Sequence, residues 1–259
     1  MSVRRKIRSF LQEQCGNVLA TDVRIGLGYT AVQLEDGRTG VAYTFRDTAF
    51  SGCSVFRGLR PVAGKPAAQL LDLIESQDKL ESSLGLATAN AVANQEPDSA
   101  IAGDVIEAIE ILPSDRVGMV GFFGPLIPAL EHRVRHLEIF EEAPDIVANL
   151  LPAAEALRRL PECDVALITS TTIINNTTDA LLEAASHCRE VVLLGSSTPL
   201  VPKAFQDTPV TCLSGMSVKD PAGILQVVSE GGGTRFFKPF ATKWNIPVRS
   251  NSVQYRQGK

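Results

Sequence analysis

Short apolar stretches alternate with helical stretches along the carboxyl-terminal part of this 259-residue chain, starting near Arg116. Each apolar stretch has the length of a strand and is separated from the next helical pattern by Gly, Pro or polar residues. Strands that alternate with helices form parallel sheets, because each helix returns the chain to the start of the next strand. This pattern predicts an α/β fold with helices packed on a parallel sheet. The predicted strands are 117–121, 137–140, 164–169, 190–195 and 210–214, and the predicted helices are 125–133, 153–160, 177–188 and 221–230.

The first 97 residues follow a different pattern, which predicts a smaller α+β domain. A short amphipathic helix over 7–15 precedes three predicted strands, 18–27, 29–34 and 38–45, which form a meander. Asp36-Gly37 lies between the last two strands, and this dipeptide tolerates the positive φ angles of a tight hairpin turn. Two helices follow, one starting at Pro66 and one with Leu80 and Leu84 on its apolar stripe. We predict domains 1–97 and 98–259, a linker within 94–103, and a bridging helix over 104–112.

Composition and charge exclude several classes of protein. Hydrophobic residues make up 44 % of the chain, which excludes a disordered or fibrous protein. The formal net charge is −4 with no basic block, so we expect no nucleic-acid partner and no membrane-surface role. The longest apolar runs are shorter than the roughly 18 residues of a membrane span, and no apolar signal core follows the basic start. The five cysteines are scattered, which argues against a disulfide framework and favours a cytoplasmic protein.

Glycines and polar residues gather where the predicted strands end, and ligands of open α/β sheets bind at that edge. After the first strand comes Gly-Phe-Phe-Gly-Pro-Leu, in which Pro125 suits the first turn of a helix whose free N–H groups attract anions. After the second comes Glu141, 20 residues beyond Gly121, close to the separation at which an acid of dinucleotide-binding folds meets a ribose. Tight packing and a solvated acidic turn are the alternative explanations.

Hydroxyl side chains follow the third and fourth strands. The residues between Thr169 and Thr172 are more numerous than a helix cap needs and suit an oxyanion, whereas Asn176 and Asp179 are accounted for as a capping pair. The candidate ligand-binding residues of this rim are Gly121, Phe122, Phe123, Gly124, Pro125, Leu126, Glu141, Thr169, Ser170, Thr171, Thr172, Asn175, Asn176, Gly195, Ser196, Ser197, Thr198, Pro199, Ser214 and Gly215. Asp220-Pro221 is interpreted as a helix cap followed by proline at the first helical position.

The sequence contains no motif that identifies a reaction. It has no Gly-x-Ser-x-Gly elbow, no phosphate-binding P-loop and no His-Glu-x-x-His. His132 and His136 have the spacing of a shared helix face, but they lie away from the strand ends and are interpreted as surface residues. Cys53, in a glycine-rich loop, is the thiol we would test for reactivity. Whether the protein is an enzyme therefore stays open.

Several motifs together resemble the uncharacterised family associated with heavy-metal chelation. They lie at 28–32, 85–91, 117–126 (VGMVGFFGPL), 139–141, 169–178, 194–200 (LGSSTPL) and 213–215, and the match extends from about residue 10 to 240. The resemblance implies a first domain like the amino-terminal domain of enolase, a Rossmann-like second domain and an active site in the cleft between them. It also implies that Thr30 and Asn90 face the rim. The chain offers no cluster of soft thiolate or imidazole ligands, so we expect any metal to be held through oxygens or within a chelate.

We therefore expect a cleft that binds a small polar or anionic ligand, with a metal ion or a metal chelate as one candidate. A nucleotide- or S-adenosylmethionine-dependent enzyme is the first alternative, favoured by the glycine turn and Glu141. A non-catalytic carrier is the second, favoured by the lack of an evident base or nucleophile. A homo-oligomer is compatible with the sequence.

Overall fold

The computed structural model describes residues 1–45, 60–96, 100–142 and 150–249, which contain a three-stranded and an eight-stranded sheet. The three-stranded sheet is antiparallel with the order β1-β2-β3, and Gly37 at its predicted hairpin turn has a φ angle of 87°. The prediction of a meander is confirmed. The elements of this amino-terminal part are α1 (Val3–Cys15), β1 (Ala20–Ile25), β2 (Tyr29–Leu34), β3 (Thr39–Tyr43), α2 (Ala67–Leu71) and α3 (Lys79–Ala93).

The eight-stranded sheet belongs to the carboxyl-terminal part and is mostly parallel. Its order is β4-β11-β10-β9-β8-β5-β6-β7, and near one edge β11 runs antiparallel to both of its neighbours, β10 and β4. Its strands are β4 (Ile101–Ala102), β5 (Arg116–Val120), β6 (His136–Glu141), β7 (Leu151–Pro152), β8 (Val165–Thr169), β9 (Glu190–Leu194), β10 (Cys212–Val218) and β11 (Ala241–Pro247). Its helices are α4 (Val105–Ala108), α5 (Ile127–Glu131), α6 (Ala156–Arg159), α7 (Thr171–Ile174), α8 (Thr178–Ala184), α9 (Pro221–Ser229) and α10 (Thr234–Phe237).

The order of the parallel strands reverses between β5 and β8. Numbered among themselves along the chain, the six parallel strands lie in the order 3-2-1-4-5-6. Doubly wound dinucleotide-binding folds have this order, and their ligands bind in the crevice outside the carboxyl ends of the strands at the point of reversal. The mixed α/β fold predicted from the sequence is confirmed.

Apolar side chains cover both faces of the large sheet, as parallel sheets require. Ile106 on α4 and Leu130 on α5 pack on one face together with Met119 of β5. Leu181 on α8 packs on the other face with Val191 of β9. None of the helices in the described ranges is long and apolar enough to cross a membrane.

The small sheet is also covered on both faces. On one face α3 comes so close to β3 that a Cβ on Gly40 would lie 2.1 Å from the backbone nitrogen of Ala91, so only glycine fits there. On the other face Ala31 and Val41 pack against Val228 of α9, a helix of the carboxyl-terminal part. The two parts therefore share an apolar core.

Several predicted bounds were wrong. The fifth predicted strand ends near residue 214, but β10 continues to Val218, so Ser214 and Gly215 lie in mid-strand instead of after it. Its partner β11 was not predicted. The bridging helix predicted over 104–112 is much shorter in the structure, where α4 has four residues. The predicted linker contains the short strand β4, which pairs with β11 at the edge of the sheet. Residues 97–99, and with them the predicted boundary, lie outside the described residues.

Candidate functional site at the carboxyl edge of the parallel sheet

Four of the predicted rim segments lie at one edge of the large sheet. Backbone hydrogen bonds join neighbouring strand ends there: Gly121 donates to Phe140 at 2.8 Å, Ser170 to Leu194 at 3.0 Å, and Gly195 to Ser214 at 3.0 Å. Because β5, β6, β8 and β9 are parallel and in register, the residues that follow them share this edge. The structure thus places the predicted segments 121–126, 141, 169–176 and 195–199 at one edge, without Ser214 and Gly215.

The turn after β5 is shaped by Gly121, whose φ angle is 92°. A Cβ at this position would lie 2.9 Å from the Cβ of Thr169, so the space above the glycine is already filled by a side chain. The backbone N–H of Phe122 donates to Oε2 of Glu141 at 2.9 Å, and the N–H of Glu142 donates to its Oε1 at 2.8 Å. The carboxylate of Glu141 thus already bonds to the N–H of Phe122 that an anion would need, and its negative charge repels anions from this turn.

The residues after this turn differ in exposure. The ring of Phe122 is 43 % exposed, Phe123 is half-buried against the core, and Leu126 is buried. Gly124 and Pro125 belong to a single 3-10 turn that leads into α5, which has only five residues. The predicted anion-binding helix N-terminus is therefore a very short helix, and the exposed aromatic ring of Phe122 is the larger binding surface.

Most of the hydroxyls after β8 are used inside the protein. Ser170 Oγ lies 2.8 Å from Thr198 Oγ1, and both residues are fully buried. Thr172 Oγ1 donates to the carbonyl oxygen of Thr169 at 2.7 Å. Thr169 and Thr171 are half-buried, and their hydroxyl oxygens lie 3.0 Å apart. These last two hydroxyls are the ones that a ligand could reach.

The turn after β9 contacts the amino-terminal part of the chain. Ser197 Oγ accepts a hydrogen bond from the backbone N–H of Tyr43 at 2.9 Å. The hydroxyl of Tyr29 hydrogen-bonds with the side chains of Ser196 and Thr234, while burial raises the pKa of this tyrosine far above its usual value. Tyr29 therefore stays protonated. Gly195 has a φ angle of 118° and is half-buried together with Ser196, whereas Pro199 is buried.

The predicted capping pair at α8 was wrong. Thr177 is the residue before the helix, and Asn176 lies outside it with a φ angle of 63°. Asp179 instead accepts the N–H of Val3 at 3.0 Å, so it caps α1 of the amino-terminal part. Asn175 Nδ2 donates to Oε1 of Glu142 at 3.1 Å, which places this amide beside the rim carboxylates.

The expectation that Thr30 and Asn90 face the rim is corrected. Thr30 is fully buried, with its Oγ1 3.0 Å from that of Thr44, and Asn90 Nδ2 donates to the carbonyl oxygen of Val41 at 2.8 Å. Both side chains thus bond within the amino-terminal part. Asn90 Oδ1 is buried without a partner in the described part of the chain.

Two residues that were not predicted make the contacts expected of Thr30 and Asn90. Asn94, directly after α3, donates to the carbonyl oxygen of Thr198 at 2.8 Å and accepts the N–H of Leu200 at 2.7 Å. Tyr29 reaches Ser196, as described above. Successive side chains of a strand point to opposite faces, so the position before Thr30 was the one to examine.

Arg4 joins α1 to the same edge of the large sheet. Its buried guanidinium donates to the carbonyl oxygens of Ile173 and Ile174 at the end of α7, and to that of Ser76. Desolvation lowers the pKa of Arg4, and the charges of Asp179 and Glu75 oppose this shift. The amino-terminal part is therefore docked on the edge where the rim lies.

Several exposed or half-buried polar groups of the rim offer oxygen atoms that could coordinate a cation. They come from the hydroxyls of Thr169 and Thr171, the carboxylates of Glu141 and Glu142, and the amide of Asn175. Within the described ranges, no three His, Cys, Asp or Glu side chains are arranged to hold a metal ion. Soft heavy-metal ions prefer thiolate and imidazole ligands, so this rim does not fit a bare ion of that kind. Cys53 lies outside the described residues, and His136 lies at the opposite edge, at the start of β6.

The chain matches two protein-family models over separate segments. A family model with the description "Putative heavy-metal chelation" matches residues 104–247, and a second with the same description matches residues 8–93. The chain belongs to the DUF364 family. The family resemblance that the sequence motifs indicated is thus confirmed, and the two matched segments correspond to the parts that carry the large and small sheets.

The chain is similar to one relative by sequence and shares its fold with two solved structures. An uncharacterised protein of Methanocaldococcus jannaschii is 24 % identical over 95 % of this chain and 96 % of its own. A DUF364 protein of unknown function from Pyrococcus horikoshii has a TM-score of 0.83 at 24 % identity, covering 95 % of this chain and 100 % of its own. A DUF364 protein from Desulfitobacterium hafniense has a TM-score of 0.76 at 24 % identity, covering 94 % and 98 %.

Proposed function

We propose that the protein binds a small polar ligand of neutral or positive charge in the crevice between the carboxyl ends of β5 and β8. Metal ions surrounded by oxygen ligands, and metal chelates, belong to this class. We further propose that the domains 1–97 and 98–259 enclose the crevice. The observation that carries the proposal is the reversal of strand order between β5 and β8, because ligands of such sheets bind at this point.

The polar groups near the crevice support a ligand that is not anionic. Glu141 already accepts the N–H of Phe122, and Glu142 adds a second carboxylate next to it. An anion would be repelled by both charges, whereas a cation or a hydrogen-bond donor would be attracted. The proposed ligand class is therefore narrower than the class expected from the sequence, which included anions.

Oxygen donors favour hydrated or chelated metals over bare soft ions. Carboxylate, hydroxyl and amide oxygens suit hard cations, and a chelate brings its own ligands to a heavy metal. The description of the DUF364 family is consistent with such a ligand. Phe122 adds an exposed aromatic ring on which a planar or apolar part of a ligand could pack.

A nucleoside cofactor is the second candidate, and the strand order favours it. Glu141 ends β6, beside β5, where the acid of dinucleotide-binding folds meets a ribose. The carboxylate at the Gly121 turn argues against phosphates there, so S-adenosylmethionine fits this candidate better than a dinucleotide. Glu141→Ala should then weaken nucleoside binding by about 1–3 kcal/mol.

Isothermal titration of chelator-treated protein tests the first proposal. The titrants are Mn²⁺, Ni²⁺ and Zn²⁺, each as the aqua ion and as its neutral 1:1 iminodiacetate chelate, with S-adenosylmethionine for the second candidate. We expect Glu142→Gln to weaken binding of the preferred titrant about tenfold, which corresponds to ~1.4 kcal/mol. Glu183→Gln, on the exposed surface of α8, is the matched control and should leave binding unchanged.

The outcomes separate the two candidates. Binding of an ion or chelate that Glu142→Gln weakens supports the first proposal, and binding of S-adenosylmethionine alone supports the second. If no titrant binds, both candidates are rejected. If an ion or chelate binds Glu142→Gln as tightly as the unaltered protein, the first is rejected, and if S-adenosylmethionine binds Glu141→Ala as tightly as the unaltered protein, the second is rejected.

A further inference from the structure

A pair of cysteines lies at the opposite, amino edge of the large sheet. Cys163 lies two residues before Val165 of β8, and Cys188 lies two residues before Glu190 of β9. Val165 and Glu190 are paired in register in these adjacent parallel strands. The N–H of Arg189 donates to the carbonyl oxygen of Asp164 at 2.8 Å, which joins the residues that follow the two cysteines. The two cysteines are therefore neighbours across adjacent strands.

Both thiols point toward the same turn of chain. Cys163 Sγ donates to the carbonyl oxygen of Arg159 at 3.5 Å, and Cys188 Sγ to that of Leu160 at 3.6 Å. These two carbonyls belong to consecutive residues at the end of α6. The two cysteine residues are 6 % and 9 % exposed, and exposed residues such as Glu162 and His187 adjoin them. The pair thus lies just beneath the surface.

A buried carboxylate lies near Cys163, and one of its two oxygens is unbonded within the described ranges. Glu138 is 7 % exposed, and its Oε2 has no hydrogen-bond partner in the described part of the chain. Glu138 is paired in register with Gly118, and an ideal Cβ on Gly118 would lie 3.1 Å from Cys163 Sγ. The carboxylate and the thiol thus share one face of the sheet. The Oε1 of Glu138 accepts a hydrogen bond from Nη1 of Arg159 at 2.8 Å, so this charge already has a cationic partner without a metal ion.

We propose that Cys163 and Cys188 form a two-thiolate site for a soft metal ion such as Cu⁺ or Hg²⁺. Thiolates are the ligands that such ions prefer, and two thiolates in a linear arrangement satisfy them. The coordination is limited to two sulfurs, because no third His, Cys, Asp or Glu joins them at metal-binding geometry among the described residues. Glu138, which pairs with Arg159, is not a ligand. The proposal does not rest on the crevice at the other edge.

Metal binding at this site releases two protons. Burial raises the pKa of Cys163 to about 12 and that of Cys188 to about 11, so both are thiols at neutral pH. One Cu⁺ ion replaces the two thiol protons and leaves a complex of charge −1, whereas Hg²⁺ leaves a neutral one. The protons go to solvent. The apparent affinity should therefore rise about 100-fold for each pH unit between 6 and 8.

Anaerobic titration of the reduced full-length protein with Cu⁺, in competition with bicinchoninate, tests the proposal. All variants carry Cys53→Ser, so that this further thiol does not compete. We expect one tightly bound ion per chain and two sulfur scatterers in the X-ray absorption spectrum of the copper. Cys163→Ser and Cys188→Ser should each weaken binding at least 100-fold, whereas Cys212→Ser, which alters another buried thiol, should not.

Circular dichroism and thermal melting show whether each serine variant is folded. Where one is not, protection of Cys163 and Cys188 from alkylation by bound Cu⁺ in the parent protein replaces the variant. Equal binding by the three serine variants, or alkylation of the pair at the same rate with and without copper, overturns the proposal. So does a protein that closes a Cys163–Cys188 disulfide but binds no ion.

Discussion

The side-chain amide of Asn94 lies 2.8 Å from the carbonyl oxygen of Thr198 and accepts the N–H of Leu200 at 2.7 Å. One buried side chain thus satisfies both a donor and an acceptor of the turn after β9. The same amide lies 3.2 Å from the carbonyl oxygen of Met216 in β10. Asn94 therefore couples the end of α3 to the rim of the large sheet.

We expect Asn94→Leu to lower the free energy of unfolding by about 2–4 kcal/mol, because it leaves buried backbone groups without partners. Urea denaturation followed by circular dichroism measures this change. The neighbouring Gln95 is exposed, and among the described residues its side chain bonds only to the carbonyl oxygen of Ala91, so Gln95→Leu should change stability by less than about 0.5 kcal/mol. Equal losses in the two variants would refute the role given to Asn94.

The parts of the fold that could be predicted are those set by local pattern. Asp36-Gly37 specifies its turn through the φ angle that glycine permits, and Asp220 caps α9 through its bond to the N–H of Gly223. The alternation of apolar and helical stretches located five of the six parallel strands and missed the two-residue β7. The strand β11 was missed, because it is antiparallel to β10 and follows a region of mixed pattern.

The candidate site was harder to predict, because its side chains have long-range partners. Ser170 and Thr198 were grouped as ligand groups from their chemistry, yet the fold pairs them with each other across 28 positions. Asp179 caps a helix 176 residues away instead of its own. Thr30 is adjacent to Tyr29 in sequence but faces the opposite side of the strand. Such partners are decided by tertiary packing, which a single sequence does not contain.

Arg4 provides a second test of how the two parts are held together. Arg4→Met removes the guanidinium donors from three carbonyl oxygens, and we expect a loss of about 3 kcal/mol in unfolding free energy. Arg5 lies on the same helix, but its side chain is 64 % exposed and pairs with Glu75 at 3.4 Å. Arg5→Met should therefore cost less than about 1 kcal/mol. Denaturant titration compares them, and similar losses would contradict this assignment.

Gly121 should tolerate alanine poorly, because two costs add at this position. Its φ angle of 92° is unfavourable for alanine, and the new Cβ would lie 2.9 Å from Thr169. Gly64→Ala is the control, since its φ angle is 86° but no atom lies within 4 Å of the new Cβ. We expect Gly121→Ala to lower the melting temperature by several degrees more than Gly64→Ala. An equal shift would show that Thr169 yields readily and that the turn is not tightly packed.

Glu190 should make stability depend on pH in an unusual direction. Burial raises the pKa of this carboxyl group, although Thr211 Oγ1 donates to it and the charge of Arg189 opposes the shift. A carboxyl group whose pKa is higher in the folded than in the unfolded state contributes stability that is fully present below its unfolded-state pKa, near 4.5. This stability is lost as pH rises through its folded-state pKa. Glu190→Gln keeps the acceptor oxygen without the charge, so it should gain stability relative to the unaltered protein between pH 4 and pH 7.

Glu155 supplies a control of opposite sign for this measurement. Hydrogen bonds from Arg158 and Arg159 lower the pKa of its carboxyl group, which therefore stabilises the fold above the unfolded pKa and loses this effect as pH falls. Urea titrations at several pH values should show Glu155→Gln losing stability relative to the unaltered protein as pH rises, while Glu190→Gln gains it. If the two variants follow the same trend, burial does not control the titration of Glu190.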